Sequence, residues 1–437
     1  MPHTDTTVRQ HIATSPRPLV VDLDGGLLAS SLRWEAIMLY IRRHFLLALL
    51  LPLWRCLGLR RFDQLLADAV DLDPAVLPYD RQLIAWLSAE KMQGRPLLLA
   101  TSAARHHADA VAGHLQLFDQ VLAAGDVPPA AHFGAHDYER LRHARPFWGA
   151  ALLRAMRPRQ WLKNLLVFVP MLAGHALNGA ALLQSALALV AFSLCASSAY
   201  LLNDAVDAAD DRRHPTKQHR PIAAGTLPLP VALAASALLA PLSLALCAWC
   251  DPLLLLVVLV YFITTVCYSL RLKRLLMVDI VTLAILYSLR ILGGGASTHI
   301  EPSFWLLTFS FFLFLSLALL KRHSELFNLQ QQGKAQTHGR GYTTADQTPV
   351  GIMGLNSGFL SVLIFMLYFN SERVLTLYRH PAILMGIVPL LVFWLGRLWT
   401  LSFRGEVNED PLLYVSHDGV SLTVIGACAA LVAAASY

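Results

Sequence analysis

A series of long apolar segments, which begins near residue 151 and continues to the last residues, constrains this chain most strongly. Short polar loops separate the segments, and most are close to the ~20 residues that a helix needs to cross a bilayer. Because the bilayer core has no water to satisfy backbone polar groups, each is expected to be helical. Nine spans are predicted: Leu162–Ala176, Leu182–Leu202, Leu229–Trp249, Leu253–Leu270, Met277–Ala296, Ser303–Leu320, Val350–Phe369, Pro381–Phe403 and Val420–Tyr437.

The composition fits a chain that is solvated mostly by lipid. Hydrophobic residues make up 56% of the sequence and charged residues only 15%, against about 25% charged in soluble domains. These values exclude a disordered chain and argue against an ordinary soluble enzyme. The net charge of +6 is expected of basic cytoplasmic loops, so no nucleic-acid partner is predicted. The six cysteines are scattered and form no disulfide framework.

Basic residues alternate between successive loops and predict the orientation. The loops after spans one, three and five have no Lys or Arg, whereas the loops after spans two, four and six are basic. The chain is expected to lie in the inner or plasma membrane, with its basic loops in the cytoplasm. Residues 1–150 are expected to lie on the same side.

Residues 1–150 differ in composition from the rest and predict a small α/β domain. The runs PLVVDL and RPLLLATS indicate buried strands, and a helical pattern follows each, which is typical of a parallel sheet. The chain is therefore divided into domains 1–150 and 151–437. Phe45–Trp54 is a ten-residue apolar run between arginines, too short to span a bilayer. We interpret it as a buried helix, with docking on the membrane surface as the alternative.

An acidic loop follows the second span. Asp204, Asp207 and Asp211 are spaced i, i+3 and i+7, so on one helix they share a face. Three carboxylates on one face repel one another, and a divalent cation such as Mg²⁺ relieves this repulsion. Lys217 and Arg220 follow and suit a diphosphate group. A solvated mixed-charge loop is the alternative, but the row of acids begins at the end of an apolar span, where ionisable groups are costly.

A second polar element lies between spans four and five. Tyr268 and Lys273 precede Asp279, and Asp279 and Arg290 lie inside apolar sequence. A spacing of 11 residues separates these two by about three helical turns, which argues against an ion pair between them. We interpret Asp279 as a further metal ligand and Lys273 as a phosphate contact.

Together these two elements resemble the UbiA superfamily of intramembrane prenyltransferases over roughly residues 151–437. The resemblance rests on Asn-Asp-x-x-Asp-x-x-x-Asp at Asn203–Asp211, on Lys217 and Arg220-Pro221, and on Tyr268-Ser269, Lys273 and Asp279. It implies an all-α polytopic bundle of about nine helices, with a cavity open to the membrane and a Mg²⁺-bound diphosphate beneath the cytoplasmic loops.

Within that superfamily the chain is similar to the decaprenyl-phosphate phosphoribosyltransferase branch. The similar stretches are RPRQWLKN, HPTKQHRPIAAG, KRHSEL and GRGY. This branch implies transfer of phosphoribose from phosphoribosyl diphosphate to a polyprenyl phosphate. Two alternatives are transfer of an isoprenoid from its diphosphate to an aromatic or other acceptor, and a transporter or scaffold without chemistry. The clustering of acids at one face favours an enzyme, since transporters place such groups near mid-bilayer.

The predicted site of this transferase has three sets of residues. The cofactor is Mg²⁺, and the partners are a lipid-linked isoprenoid and a diphosphate donor. The catalytic set is Asp204, Asp207, Lys217, Arg220, Lys273 and Tyr268. The metal ligands are Asn203, Asp204, Asp207, Asp211 and Asp279, and the cofactor-binding residues are Asn203, Arg159 and Lys163.

The N-terminal domain resembles the haloacid dehalogenase-type phosphatase fold. VVDLDGGLL implies Asp22 as nucleophile and Asp24 as acid/base, and Thr101 or Ser102 as a phosphate contact. However, Gly26 stands where that family has Thr or Ser, and no Lys occurs between Lys91 and Lys163. Without a Lys and a distal acidic pair, an aspartyl-phosphate route lacks charge compensation. We therefore predict a degenerate phosphatase site with a structural or regulatory role.

Overall fold

The structure is a computed structural model. It describes residues 18–24, 26–44, 47–101, 104–122, 139–141, 148–214, 216–333, 341–368, 374, 377–407 and 410–436. Ser102, one of the two predicted phosphate contacts, lies outside the described residues.

The chain divides into two compact units. The first comprises Met1–Arg157 and Tyr200–Leu238, and the second comprises Pro158–Ala199 and Leu239–Tyr437. The acidic loop therefore belongs to the same unit as the N-terminal α/β region, although composition alone groups it with the membrane segments.

The first unit is built around a parallel sheet of strand order β3-β2-β1-β4. Leu19–Asp22 (β1) pairs with Leu97–Ala100 (β2) and with Glu139–Leu141 (β4), and β2 also pairs with Gln120–Leu122 (β3). Both predicted strands are confirmed, and their leucines are buried, as expected of parallel strands covered on both faces. The helices of this unit are Leu32–Arg43 (α1), Leu51–Cys56 (α2), Leu59–Ala69 (α3), Arg81–Met92 (α4), Arg105–Leu115 (α5) and Gly149–Ala155 (α6).

The apolar run after α1 is not a buried helix, so that interpretation was wrong. In its described part, the 3₁₀ turn Leu47–Leu50 and α2 leave Leu47 50% and Leu53 62% exposed. Leu51 and Trp54 are half-buried against the cluster of Ala36, Tyr40 and Phe62, so only part of the described segment packs on the α/β region. An exposed cluster of leucines beside arginines favours the alternative, docking on a membrane surface.

Long helices dominate the rest of the chain. They are Gly179–Val206 (α8), Leu229–Cys250 (α10), Pro252–Leu270 (α11), Val278–Thr298 (α12), Phe304–Gln331 (α13), Gln347–Tyr368 (α14), Ile387–Phe403 (α15) and Gly419–Ser436 (α17), with the shorter Val169–Ala173 (α7), Ala208–Arg213 (α9) and Pro411–His417 (α16). Within the described ranges, eight helices are long and apolar enough to cross a membrane, α14 and α15 each counting with a preceding 3₁₀ turn.

The first of the nine predicted spans is the one that does not form a long helix. Its residues form the 3₁₀ segment Pro158–Phe168 and the five-residue α7. Pro170 removes a backbone donor within this stretch. Asn164 is fully buried, where it donates to Ser193 Oγ at 3.0 Å and accepts from Arg290 Nε at 2.8 Å, so this segment is held by polar contacts.

The second unit has a tightly packed interior along α12. The run Gly293–Gly295 lies in the buried part of this helix. A Cβ on Gly294 would lie 2.0 Å from the carbonyl oxygen of Val167, so only glycine permits this approach of the two backbones. The run is a packing feature, as is common for small residues between membrane helices.

Candidate functional site

The acidic loop does not continue α8 as one helix. The helix α8 ends at Val206, Asp207 has φ −90° and ψ 0° at the N-terminus of α9, and α9 covers Ala208–Arg213. The prediction that Asp204, Asp207 and Asp211 share the face of a single helix was therefore wrong. The break nevertheless brings two of the three together, because Asp204 and Asp211 are 2% and 4% exposed and contact the same side chain.

That shared side chain is Arg220. Its Nη1 donates to Asp211 Oδ2 at 2.7 Å and to Asp204 Oδ1 at 3.1 Å. Arg157 completes the cluster, since its Nη2 donates to both carboxylate oxygens of Asp204 at 2.6 and 2.8 Å, and its guanidinium lies 5.0 Å from the centre of the Tyr200 ring. Two buried acids are thus held by two arginines.

The electrostatics of the cluster reflect this burial. Burial raises the pKa of Asp211, Arg220 opposes that effect, and the Asp204 carboxylate adds to it. For Arg157, burial acts to lower the pKa, but the adjacent Asp204 outweighs it and the pKa is raised. Arg157 therefore remains charged, and the two buried carboxylates lie close enough for their charges to interact.

The donor set suits a hard divalent cation, because carboxylate oxygens are the ligands that Mg²⁺ takes in proteins. Among the residues that the structure describes, no group of three His, Cys, Asp or Glu side chains converges as a metal site. Arg220 Nη1 instead bridges the two buried carboxylates. The two carboxylates are suitable ligands for a divalent cation, but their positively charged partner in this structure is Arg220.

Other predicted residues belong to the same loop. Asn203 is half-buried, and its Nδ2 lies 3.5 Å from Asp204 Oδ1. Asp207 and Lys217 are also half-buried, Lys217 in the 3₁₀ turn Lys217–His219. Each predicted cation-binding or diphosphate-binding residue of this loop therefore lies in the first unit.

Asp279 lies in the second unit, within a different cluster. It is fully buried at the start of α12, and both of its oxygens are used. Arg322 Nη2 donates to Oδ2 at 2.6 Å and the Tyr342 hydroxyl donates to Oδ1 at 2.6 Å. Arg322 also pairs with Glu325. The sequence reasoning that Asp279 and Arg290 are not partners agrees with these contacts, since Arg290 bonds to Asn164 and to the Tyr261 hydroxyl.

Lys163 belongs to a third cluster, also in the second unit. Its Nζ donates to Asp410 Oδ2 at 2.7 Å, and Lys321 Nζ donates to the same oxygen at 3.0 Å. Burial acts to raise the pKa of Asp410, but the two lysines outweigh it and the pKa lies below its usual range. Arg159 is exposed, whereas Tyr268 and Lys273 are half-buried near the end of α11.

The predicted phosphatase residues meet at the carboxyl edge of the sheet. Asp22 ends β1 opposite Ala100, and Thr101 Oγ1 donates to Asp24 Oδ2 at 3.0 Å. Asp24 Oδ1 accepts from the backbone N–H of Leu32 at 2.8 Å, so this side chain holds the start of α1.

Sequence reasoning missed several charged partners. Arg157, Arg322 and Tyr342 lie in stretches that carried the family resemblance, but no spacing rule connects them to the acids they contact. Asp410 precedes Pro411 and accepts from the Leu412 N–H, so its local signal is that of a helix N-cap.

Comparison with known proteins identifies the family. The UbiA prenyltransferase family matches residues 166–414, more than half of the chain. A protein of Sinorhizobium fredii, the uncharacterized protein y4nM, is 30% identical over 460 residues, which cover 92% of this chain and 88% of that protein. The nodulation protein NoeC of Azorhizobium caulinodans is 33% identical over 274 residues, covering 62% of this chain and 88% of NoeC.

A decaprenyl-phosphate phosphoribosyltransferase of Mycobacterium tuberculosis is 39% identical over 193 residues, 43% of this chain and 63% of that enzyme. Among solved structures, a UbiA homolog of Archaeoglobus fulgidus bound to GPP and Mg²⁺ superposes with a TM-score of 0.51 and 19% identity, covering 65% of this chain and 99% of that one. The likeness to this structure concerns the fold. With this family match and eight helices in the described part of the chain that are long and apolar enough to cross a membrane, the chain is an integral, multi-pass membrane transferase and belongs to the UbiA prenyltransferase family.

Proposed function

We propose that this protein transfers phosphoribose from phosphoribosyl diphosphate to a polyprenyl phosphate in a Mg²⁺-dependent reaction. The observation that carries the proposal is the buried cluster in which Asp204 and Asp211 share Arg220. Such a cluster combines carboxylates for a divalent cation with arginines for phosphate oxygens. The 39% identity to a decaprenyl-phosphate phosphoribosyltransferase supports this choice of donor and acceptor.

The residues of the acidic loop bind the leaving group. Asp204, Asp207 and Asp211 would hold Mg²⁺, which when bound neutralises the diphosphate charge and stabilises its departure. Arg220 and Lys217 contact the diphosphate oxygens, and Asn203 orients a ligand. Arg157 holds the Asp204 carboxylate in place through its two hydrogen bonds. Arg220 exchanges its carboxylate contacts for phosphate contacts when the substrate binds.

The reaction exchanges one C–O bond for another. The bond between C1 of the ribose and the diphosphate breaks, and its electron pair leaves with the diphosphate. An oxygen of the polyprenyl phosphate supplies the electron pair of the new bond to C1. Electrostatic stabilisation of the departing charge is the main contribution of the protein, as is common for such transfers.

The roles of the residues in the second unit are also proposals. Lys273, Arg159 and Lys163 supply positive charge for phosphate groups, Tyr268 contacts substrate, and Asp279 is a further metal ligand. For Asp279 this requires an exchange of partners, since Arg322 and Tyr342 use both of its oxygens.

An assay with purified protein tests the function. We expect a phosphoribosylated lipid from phosphoribosyl diphosphate, a polyprenyl phosphate and Mg²⁺, detected by mass spectrometry of the lipid fraction. Omission of Mg²⁺ should remove the product, and the variant Asp204→Asn should reduce its rate of formation by roughly 10²-fold or more. Product from a prenyl diphosphate and an aromatic acceptor, with none from phosphoribosyl diphosphate, would instead assign the alternative prenyl-transfer reaction.

For the N-terminal α/β region we propose a degenerate haloacid dehalogenase-like fold on the cytoplasmic side. The contact of Thr101 with Asp24 and the role of Asp24 at the start of α1 support a structural use of these residues. Lys91, the only lysine in residues 1–150 of the sequence, pairs with Asp119.

A phosphatase assay tests this second proposal. With a generic phosphate ester, the protein and its Asp22→Asn variant should release phosphate at the same background rate, because no lysine compensates the charge of an aspartyl-phosphate. Release that depends on Asp22 would show an active phosphatase.

A further inference from the structure

We propose that the N-terminal α/β region is a positioning element for the acidic loop, and that the buried ion pair of Glu35 with Arg212 is its main contact. The catalytic consequence of this inference rests on the proposed function, because it takes the acidic loop to be the diphosphate-binding loop. All the contacts that carry it lie within the first unit.

The ion pair is buried and forked. Arg212 Nη2 donates to Glu35 Oε1 at 2.7 Å and Nη1 donates to Oε2 at 3.0 Å. The side chains of Arg212 and Glu35 are 9% and 6% exposed. Ser30 Oγ donates to Glu35 Oε1 at 2.6 Å, so the carboxylate is held in one orientation. Removing one member of such a pair leaves an uncompensated buried charge.

Arg212 also connects the loop to itself and to the α/β region. Its Nε donates to the Ala223 carbonyl at 3.0 Å, and its Nη1 donates to the Val76 carbonyl at 3.3 Å. One guanidinium thus joins α9, the end of the acidic loop and two segments of the N-terminal region. Such a set of contacts fixes the path of the loop rather than a single point on it.

A second ion pair holds the other side of α9. Arg42 pairs with Asp210, the residue next to Asp211. Because Glu35 and Arg42 are seven residues apart on α1, they lie on one face of that helix. One face of α1 therefore offers an acid to Arg212 and a base to Asp210. Because α1 contributes the acid to one pair and the base to the other, the two contacts together favour one register of α9 against α1.

The loop backbone also packs directly on the N-terminal region. Gly225 has φ +74°, and a Cβ on it would lie 2.3 Å from the Cβ of Ala29. No L side chain fits this position without displacement of one of the two segments. This contact is independent of charge and shows that the loop is fitted to the α/β surface.

The six-residue α9 needs such support. An isolated helix of this length is unstable in water, because nucleation costs more than its few hydrogen bonds return. Its Asp211 must nevertheless be placed for cation and diphosphate binding. The α/β region supplies the order that α9 lacks, which gives a use to a phosphatase-like fold without phosphatase chemistry.

Hydrogen exchange in the full-length protein, reconstituted in lipid nanodiscs, tests the inference without any substrate. In Glu35→Gln we expect the amides of Ala208–Arg213 to exchange at least tenfold faster than in the parent. The transferase assay should then show at least a tenfold higher Mg²⁺ concentration for half-maximal rate, with a smaller change in the maximal rate. Arg212→Lys, which keeps the charge but loses the fork, should give a smaller shift of the same kind.

The control is Arg213→Met. Arg213 pairs with Asp73 at 2.6 Å, but the two side chains are 55% and 47% exposed, so this variant should alter exchange less than twofold. Unchanged exchange in both Glu35→Gln and Arg212→Lys would overturn the inference. Faster exchange with an unchanged Mg²⁺ dependence would also overturn it, because the order of the loop would then have no effect on catalysis. If the protein lacked phosphoribosyl transfer altogether, faster exchange would still establish the support of the loop, and the failure would fall on the proposed function.

Discussion

Asp204→Asn is expected to lower the rate of phosphoribosyl transfer by roughly 10²- to 10³-fold or more, the range found when a main electrostatic contact of a transition state is removed. The substitution keeps the size of the side chain but removes the charge that a divalent cation requires. It also leaves Arg157 and Arg220 with a neutral partner in a buried place, where Asp204 is only 2% exposed. The measurement is the initial rate at saturating Mg²⁺ and donor.

The matched control for this variant is Asp73→Asn. Asp73 is also an acid of the first unit that pairs with an arginine, but its ion pair is exposed and contributes about 1 kcal/mol or less. Its rate should remain within twofold of the parent. Thermal unfolding of Asp204→Asn in the same detergent distinguishes a lost site from a lost fold. A folded Asp204→Asn protein with a rate near that of the parent would remove Asp204 from the catalytic set.

The local features of this chain were predictable from its sequence. Strands β1 and β2 follow from short apolar runs, and the long helices follow from apolar segments of bilayer length, because each pattern depends on neighbouring residues alone. The Asp-rich loop was found for a related reason, since charged residues at the end of an apolar span are costly unless they have a function.

The partners of the charged residues were not predictable in this way. Arg157 is 47 residues from Asp204, and Arg322 is 43 residues from Asp279. No periodicity joins positions so far apart, and only the fold brings them into contact. The same holds for Glu35 and Arg212, which are 177 residues apart and lie on opposite sides of the predicted domain boundary.

Two local expectations failed because tertiary contacts decided the outcome. The helix break at Asp207 replaces a continuous acidic face by two buried carboxylates around Arg220. The first predicted span is a 3₁₀ segment in which Asn164 is bonded to Arg290. Arg290 is buried and Arg220 is partly exposed, and each contacts a polar side chain beside the irregular backbone.

The buried cluster of Asp279 gives the second large expected effect. Arg322→Met should lower the free energy of unfolding by ~3–5 kcal/mol, because it leaves the Asp279 carboxylate fully buried without its cation. The midpoint of thermal unfolding in detergent is the measurement. Arg397→Met is the control, since the Arg397–Asp418 pair is more exposed and its loss should cost far less.

The double variant Asp279→Asn/Arg322→Met then separates the two roles of Asp279. Removing both charges together should restore most of the stability, because neither partner is left buried and unpaired. If Asp279 is a metal ligand as well, this stable double variant will transfer phosphoribose much more slowly than the parent and will need more Mg²⁺ for its half-maximal rate. If Asp279 only neutralises Arg322, the double variant will recover activity along with stability, and the metal ligands of this transferase will be those of the acidic loop. Failure of the double variant to regain stability would contradict the ion-pair explanation itself, and would assign the loss in Arg322→Met to the contacts of Arg322 with Glu325 and the Tyr342 ring.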